Sequence, residues 1–342
     1  MKKLFLIGSI FLSTNIFAKS FIDSSQYFFA KGIEEKKAKH YLVASNYFDK
    51  AIGFNKSFTE AYLESAIVNN EMRRTDQAKA SLLKAHELQP TNIDVVKELT
   101  NVFYDYHQWD KAIEFANKCT NCANADRILG MSFYNKEDYM QAEKYLLKAI
   151  TKDPSDAQAT YTIARNYMDA DQYLKAVPFF EKAVSLSPDK NVWAYELGLL
   201  YYNNNNFRSA VTAFENAAKN GYHITNDYTE NYGYSLMYSG QFAKGEEKLM
   251  EIYAKNGNKE LLRELSQILY SQKQYDRSLD YSQKLLEADA KDGKALYQAG
   301  LSFIKLGKKA KGQSMCDKAI ELDPTLASKK STVGGGENDF GL

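Results

Sequence analysis

The amino-acid sequence predicts an all-α fold, a solenoid of about nine stacked helix-turn-helix units, on three observations. Alanines stand at 44, 78, 112, 142, 176 and 210, spaced by 34, 34, 30, 34 and 34 residues. Seven residues after each comes another small residue: Ala51, Ala85, Cys119, Ala149, Ala183 and Ala217. Four residues after most of the alanines comes a large apolar one: Phe48, Leu82, Leu146, Phe180 and Phe214. Self-similarity at a period near 34 marks an array in which each short unit must bury its apolar face against the next.

Ahead of the repeats, residues 1–18 read as a secretory signal peptide. Lys2 and Lys3 are its basic start, Leu4 to Phe17 its mostly apolar middle, and Ile16-Phe17-Ala18 its cleavage site. Ser13, Thr14 and Asn15 interrupt the apolar stretch, which is short for a membrane span. The mature chain is therefore expected to be exported, periplasmic or extracellular, with no integral membrane segment.

The unit from Ser155 to Pro188 shows how the repeat works. Ser155 and Gln158 have the spacing of a capping box. A first helix follows to about Met168, with Ala159, Ile163, Ala164 and Tyr167 on one face. Asp169 to Gln172 form the turn, and a second helix runs from about Tyr173 to Leu186 with Ala176, Phe180, Ala183 and Val184 on its apolar face. Pro188 closes the unit, since proline cannot continue a helix. Pro178 falls inside that second helix, so the helix either starts later or bends there. Alanines at the crossing let two antiparallel helices approach closely, and the aromatics fill the space beside it.

Two further segments depart from the rule. In the seventh and eighth units Gly245, Ser278 and Ser282 replace alanine or aromatic residues, which predicts the least regular packing there. After Pro324, the tail 325–342 contains three successive glycines with polar flanks and reads as a flexible end, with a short helix available at 326–330.

With a small residue in the first helix (Gly32, Ala66, Gly130, Ala164, Gly198, Gly233, Gly300), the alanine pair in the second and a closing proline at 90, 154, 188 and 324, residues 19–324 resemble the tetratricopeptide-repeat family. The resemblance implies a right-handed solenoid whose first helices line a concave groove that binds a protein or extended peptide. Carried over position by position, it places Tyr104, Arg127, Tyr134, Asn135, Tyr161, Arg165, Asp169, Tyr195, Tyr202, Asn203, Tyr234 and Tyr238 on that groove, with Tyr270 and Tyr297 following. Tyrosine supplies broad contact area with few rotors to freeze, and Arg127 and Arg165 are expected to fix carboxylates. A family clamp for chaperone tails is not matched: Lys97 and Asn101 stand at its first two sites, but Ile128, Gln158 and Thr162 hold the others.

Composition narrows the remaining functions. Lysine plus arginine number 44 against 43 aspartate plus glutamate, with no basic tract, so a nucleic-acid footprint is not supported. Cys119-Thr120-Asn121-Cys122 lies where the spacing contracts to 30. It reads as a local disulfide in an oxidising compartment; reduced packed cysteines and a redox pair are the alternatives. Cys316 reads as a small core residue. The four histidines have no ligand spacing, and there is no second cysteine pair, phosphate loop or nucleophile motif. The expectation is a non-catalytic interaction scaffold without cofactor or metal, set in a bacterial cell-envelope assembly, with self-association open. A carbohydrate-binding tyrosine ladder and a structural spacer are the alternative readings.

Overall fold

The computed structural model describes residues 24–119 and 122–330. The signal-peptide reading and the glycine-rich stretch lie outside them. Among the described residues the chain is helical throughout, with short turns and no strand.

The chain divides into two compact units, 1–171 and 172–342. The first holds α1 (24–37), α2 (Tyr41–Phe54), α3 (Thr59–Glu71), α4 (Thr75–Leu88), α5 (Ile93–Asp105), α6 (Trp109–Lys118), α7 (Ala125–Asn135), α8 (Tyr139–Lys152) and α9 (Ala157–Asp169). The second holds α10 (Tyr173–Leu186), α11 (Asn191–Asn203), α12 (Phe207–Lys219), α13 (Asn226–Tyr238), α14 (Phe242–Asn256), α15 (Lys259–Ser271), α16 (Tyr275–Ala288), α17 (Gly293–Lys305) and α18 (Lys309–Leu322). Odd-numbered helices are the first helices of the repeats and even-numbered ones the second. Within each unit consecutive helices pack, and first helices also touch the next first helix: α5 with α7, α7 with α9, α11 with α13, α13 with α15 and α15 with α17. That second set of contacts makes a layer of first helices, and it is this layer that carries the site.

Size complementarity explains the repeat. The six alanines at 44, 78, 112, 142, 176 and 210 are fully buried, as are Phe48, Phe180, Phe214 and Leu146. The small residue of a first helix sits against the large residue 16 positions on. A Cβ added at Gly32 would meet Phe48 at 2.5 Å, one at Gly198 would meet Phe214 at 2.7 Å, and one at Gly233 would meet Leu249 at 2.8 Å. In α17 backbone becomes the obstacle, because the large residue has become Cys316 and the alanine site has become Gly312. There the added Cβ of Gly300 would lie 2.7 Å from the Gly312 carbonyl oxygen.

Each first helix ends in the same way. Lys39, Arg73, His107, Glu137, Asp171, Asn205, Gly240, Lys273 and Gly307 adopt positive φ in the turn that follows. In eight of these nine turns the next amide donates back to the carbonyl five residues earlier, as Asp138 does to Phe133 at 3.0 Å and Lys308 to Phe303 at 2.9 Å. This left-handed cap satisfies carbonyls that the helix end would leave open. Only two of the nine positions are glycine, so seven side chains tolerate a conformation that L-residues disfavour.

Several expectations change. The N-cap of α9 is Asp156, whose carboxylate accepts from the Ala159 amide at 2.9 Å, while Ser155 bonds to Asp153. Aspartate caps as well as serine, and its position decides the register. Helix α10 starts at Tyr173 and continues through Pro178, so the later start is excluded. The proline leaves the Leu174 carbonyl without its amide donor, and Leu174 is 81% exposed, where water can serve instead. Ser278 and Ser282 are fully buried, yet their hydroxyls meet Ser266 at 3.1 and 2.7 Å, and Ser278 also meets Ser302 at 3.1 Å. Small polar side chains thus take the alanine sites without leaving unpaired groups. Past Pro324 a 3-10 turn (Pro324–Leu326) and a short helix (Ala327–Lys330) follow, and Leu326 is buried against α17 and α18. Packing therefore reaches Leu326, two residues past Pro324, where that side chain covers the apolar face of the last repeat.

Candidate interaction faces on the first helices

In the first unit, Tyr134 and Asp169 bring α7 and α9 together. The Tyr134 hydroxyl donates to Asp169 Oδ2 at 2.6 Å, and Arg165 Nη2 lies 3.5 Å from Asp169 Oδ1. Burial and the hydrogen bond to Asp169 push the Tyr134 phenol well above its ordinary range, with Arg165 opposing and Tyr161 nearby. Tyr134, Tyr161, Arg165 and Asp169 therefore form one polar-aromatic patch.

Other assigned residues are held by their own chain. Arg127 Nε pairs with Asp156 at 2.9 Å. Arg263 does the same with Asp292, bidentately at 3.1 and 3.0 Å. In both cases the arginine is 29 residues ahead of the aspartate, and the aspartate caps the next first helix, accepting from Ala159 or Ala295. Arg127 thus belongs to a recurrent staple between successive first helices, and its role is to join repeats; the expectation that it holds a partner carboxylate omits this prior partner. Tyr104 donates to Met131 Sδ at 3.2 Å, and Asn135 donates to the Met131 carbonyl at 2.8 Å, one turn back in its own helix. Ile128 and Thr162, which break the chaperone-tail clamp, are buried.

In the second unit Tyr195, half-buried, stacks on Tyr222 at 4.4 Å, lies 5.6 Å from Phe214 and stacks at 6.0 Å on Tyr228 of the next first helix, α13. Tyr202, Tyr234 and Tyr238 do come together. The Tyr234 hydroxyl donates to Glu264 of α15, and Phe207 stacks on Tyr238 at 4.7 Å while meeting Tyr202 edge-on at 5.7 Å. Asn203 is exposed at the end of α11.

Glu230 and Glu264 were not among the sequence-assigned residues, yet they complete this patch. Burial raises the Glu230 carboxyl, and the neighbouring Glu264 and Asp227 raise it further. The signal was present: Glu230, Tyr234 and Tyr238 recur every four residues along one helix face.

Tyrosine hydroxyls elsewhere explain the tyrosine-rich composition. Tyr167 donates to Glu143 at 2.9 Å, Tyr232 to Glu215 at 2.9 Å and Tyr201 to Glu181. These three reach from first helices to second helices. Tyr134 and Tyr234 instead join first helix to first helix, which is why they mark the face.

Cys119 and Cys122 are disulfide-bonded, with Cα atoms 5.4 Å apart. Cys119 is buried in the core shared by α5, α6 and α7, and Cys316 is a buried thiol that donates to the Tyr297 carbonyl at 3.7 Å. Among the described residues no group of three or more His, Cys, Asp or Glu is arranged to hold a metal ion, and no helix is long and apolar enough to cross a membrane.

The repeats seen in the structure are also found in the sequence by family comparison. Residues 129–191 and 231–293 match one tetratricopeptide-repeat model and residues 293–326 match another. The matched stretches are tetratricopeptide repeats. Solved structures with similar helical hairpins include Pseudomonas aeruginosa PilF, 19% identical over 58% of this chain and 92% of that one, TM-score 0.46. A MamA structure is 23% identical over 47% of this chain and 95% of that one, TM-score 0.44. YrrB, described as a tetratricopeptide-repeat protein with an unusual peptide-binding site, is 24% identical over 54% and 97%, TM-score 0.38. No curated protein matches the chain in sequence. The repeats support a protein-interaction scaffold.

Proposed function

We propose that this chain is a non-catalytic scaffold that binds a protein or extended peptide along its first-helix faces, and that it works after export, in a bacterial cell-envelope assembly. One observation carries the reading of the face. In each unit tyrosine hydroxyls bond across adjacent first helices to carboxylates, Tyr134 to Asp169 and Tyr234 to Glu264. The phenol rings are thereby held half-buried, with rigid apolar surface beside polar groups, before any partner arrives. Such preorganised aromatic surface lowers the ordering cost of binding. Export rests on the residue 1–18 pattern and on the disulfide, which belongs to oxidising compartments.

The test compares capture of partners from native envelope extract by the mature chain and by a variant carrying Tyr161→Ala, Arg165→Ala, Tyr202→Ala and Tyr238→Ala, with folding checked by circular dichroism. Partners held by the native chain and lost from the variant support the reading. Equal capture by both moves the binding surface off the first helices, and capture of glycans in place of proteins favours a carbohydrate-binding role.

A further inference from the structure

Two neighbouring first helices of the second unit, α11 (NVWAYELGLLYYN) and α13 (NDYTENYGYSLMY), carry no positive charge, while together they carry Glu196, Asp227 and Glu230. On α15, Arg263 is engaged by Asp292 and Glu260, which leaves Lys259 as the only other cation of that helix. Carboxylates and tyrosine rings therefore meet with no arginine or lysine of their own set between them.

Elsewhere lysines of the chain lie over rings that are themselves largely buried. Lys311 lies 4.0 Å from the Phe303 ring centre, Lys118 4.7 Å from Phe115 and Lys284 4.8 Å from Tyr281. Among the described residues no lysine takes such a position over Tyr202, Tyr234 or Tyr238. Tyr202 and Tyr238 are joined through Phe207, and Tyr234, bonded to Glu264, stands beside them with Glu230. A face made of ring quadrupoles and carboxylates attracts a cation by two additive terms, both stronger where water is partly excluded.

We propose that the face built from Tyr202, Glu230, Tyr234, Tyr238 and Glu264 receives the lysine or arginine side chains of a basic segment of the partner protein. The inference rests on the first-helix reading above and specifies the partner's charge. Glu264 keeps one oxygen on the Tyr234 hydroxyl and offers the other to the incoming cation. Glu230, set one helical turn before Tyr234, flanks the same position from α13. Burial and the other acids oppose ionisation of Glu230, and an incoming cation reverses that opposition.

The purified mature chain is titrated with fluorescein-labelled synthetic peptides of one length that are lysine-rich, arginine-rich, glutamate-rich or uncharged, and anisotropy is read at low and high salt. The basic peptides are expected to bind best and to weaken with salt. The Glu230→Gln, Glu264→Gln double variant, which preserves shape, is expected to lose about tenfold or more in affinity for them. A control variant, Glu181→Gln, Glu215→Gln, removes equal charge from the second helices and should bind as the native chain does. Uncharged or acidic peptides binding as tightly as basic ones would overturn the proposal, as would native affinity in the double variant or an equal loss in the control. If charge selectivity fails while partner capture still depends on the first-helix tyrosines, only the cationic assignment falls. If capture is also independent of those tyrosines, the first-helix reading falls with it.

Discussion

Replacing Gly300 by alanine tests the packing logic where backbone is the obstacle. The new Cβ would stand 2.6 Å from Cys316 Sγ, 2.7 Å from the Gly312 carbonyl oxygen and 3.0 Å from the Cys316 amide nitrogen. A carbon–oxygen contact relaxes at about 3.3 Å, so α17 and α18 must part by roughly 0.6 Å. Two of the three obstacles are backbone, which no rotamer change can move. Alanine gains about 1 kcal/mol over glycine in a helix interior, while overpacking costs about 1–3 kcal/mol and here belongs at the upper end. The net is a destabilisation of about 2 kcal/mol. Because repeat stability is summed over neighbours, the loss should appear locally as amide exchange in α17 and α18 faster by about 30-fold. Gly53→Ala is the matched control, since its Cβ would meet nothing within 4 Å. There the helix gain is unopposed, and exchange in α2 should slow. If Gly300→Ala slows exchange as Gly53→Ala does, close helix approach is not what selects glycine at this site.

Three further outcomes follow from contacts described above. Arg263→Lys breaks the bidentate bond to Asp292, whose partners are only 15% and 17% exposed; a loss of about 1–3 kcal/mol is expected in a denaturant titration, and an unchanged midpoint would remove the staple's structural role. Glu137→Gly relieves a φ of 61° and should stabilise by about 0.5–1 kcal/mol after the entropic cost of glycine, read as a raised melting temperature; a lowered one contradicts the strain argument. Burial raises the Glu98 carboxyl above the ordinary range of a glutamate, so the folded chain holds that proton more tightly than the unfolded one. The resulting stabilisation is full below that range and is lost as pH rises through the folded-state pKa. Glu98→Gln should flatten this part of the stability–pH curve, and an unchanged slope between native and variant would assign the dependence elsewhere.

How much could be read from sequence depended on whether a position answers to size or to neighbours. Ala44, Ala210, Gly198 and Phe214 were legible because a helix crossing admits only certain volumes, and volume is a property of the residue alone. Helix α10 was placed at its observed ends by the same pattern, even with Pro178 inside it. The contacts of Arg127 and Tyr195 were not legible, because they depend on Asp156 and Tyr222, which lie 29 and 27 residues away and belong to no motif of one unit. Comparing Arg127–Asp156 with Arg263–Asp292 reveals the staple only once the structure shows that both pairs touch. The left-handed turn residues were invisible for another reason. Lys39, Arg73, Glu137 and Lys273 carry no conformational signature, since the cap is imposed by the helices on either side. Glu230 and Glu264 were missed because a charged residue on a helix usually marks a solvated surface, and only the missing cations around them distinguish this one.

The shortened third repeat has a consequence for anything long that lies along the chain. Helix α6 has 10 residues and α7 has 11, against 13 or 14 in their neighbours, and the disulfide sits where they meet. An array of equal repeats is translationally degenerate: an elongated ligand can slide by one repeat and find the same ruler marks again. One interval of 30 among intervals of 34 removes that degeneracy for the first unit. The contraction acts as an index mark, and the covalent bond keeps the mark from drifting.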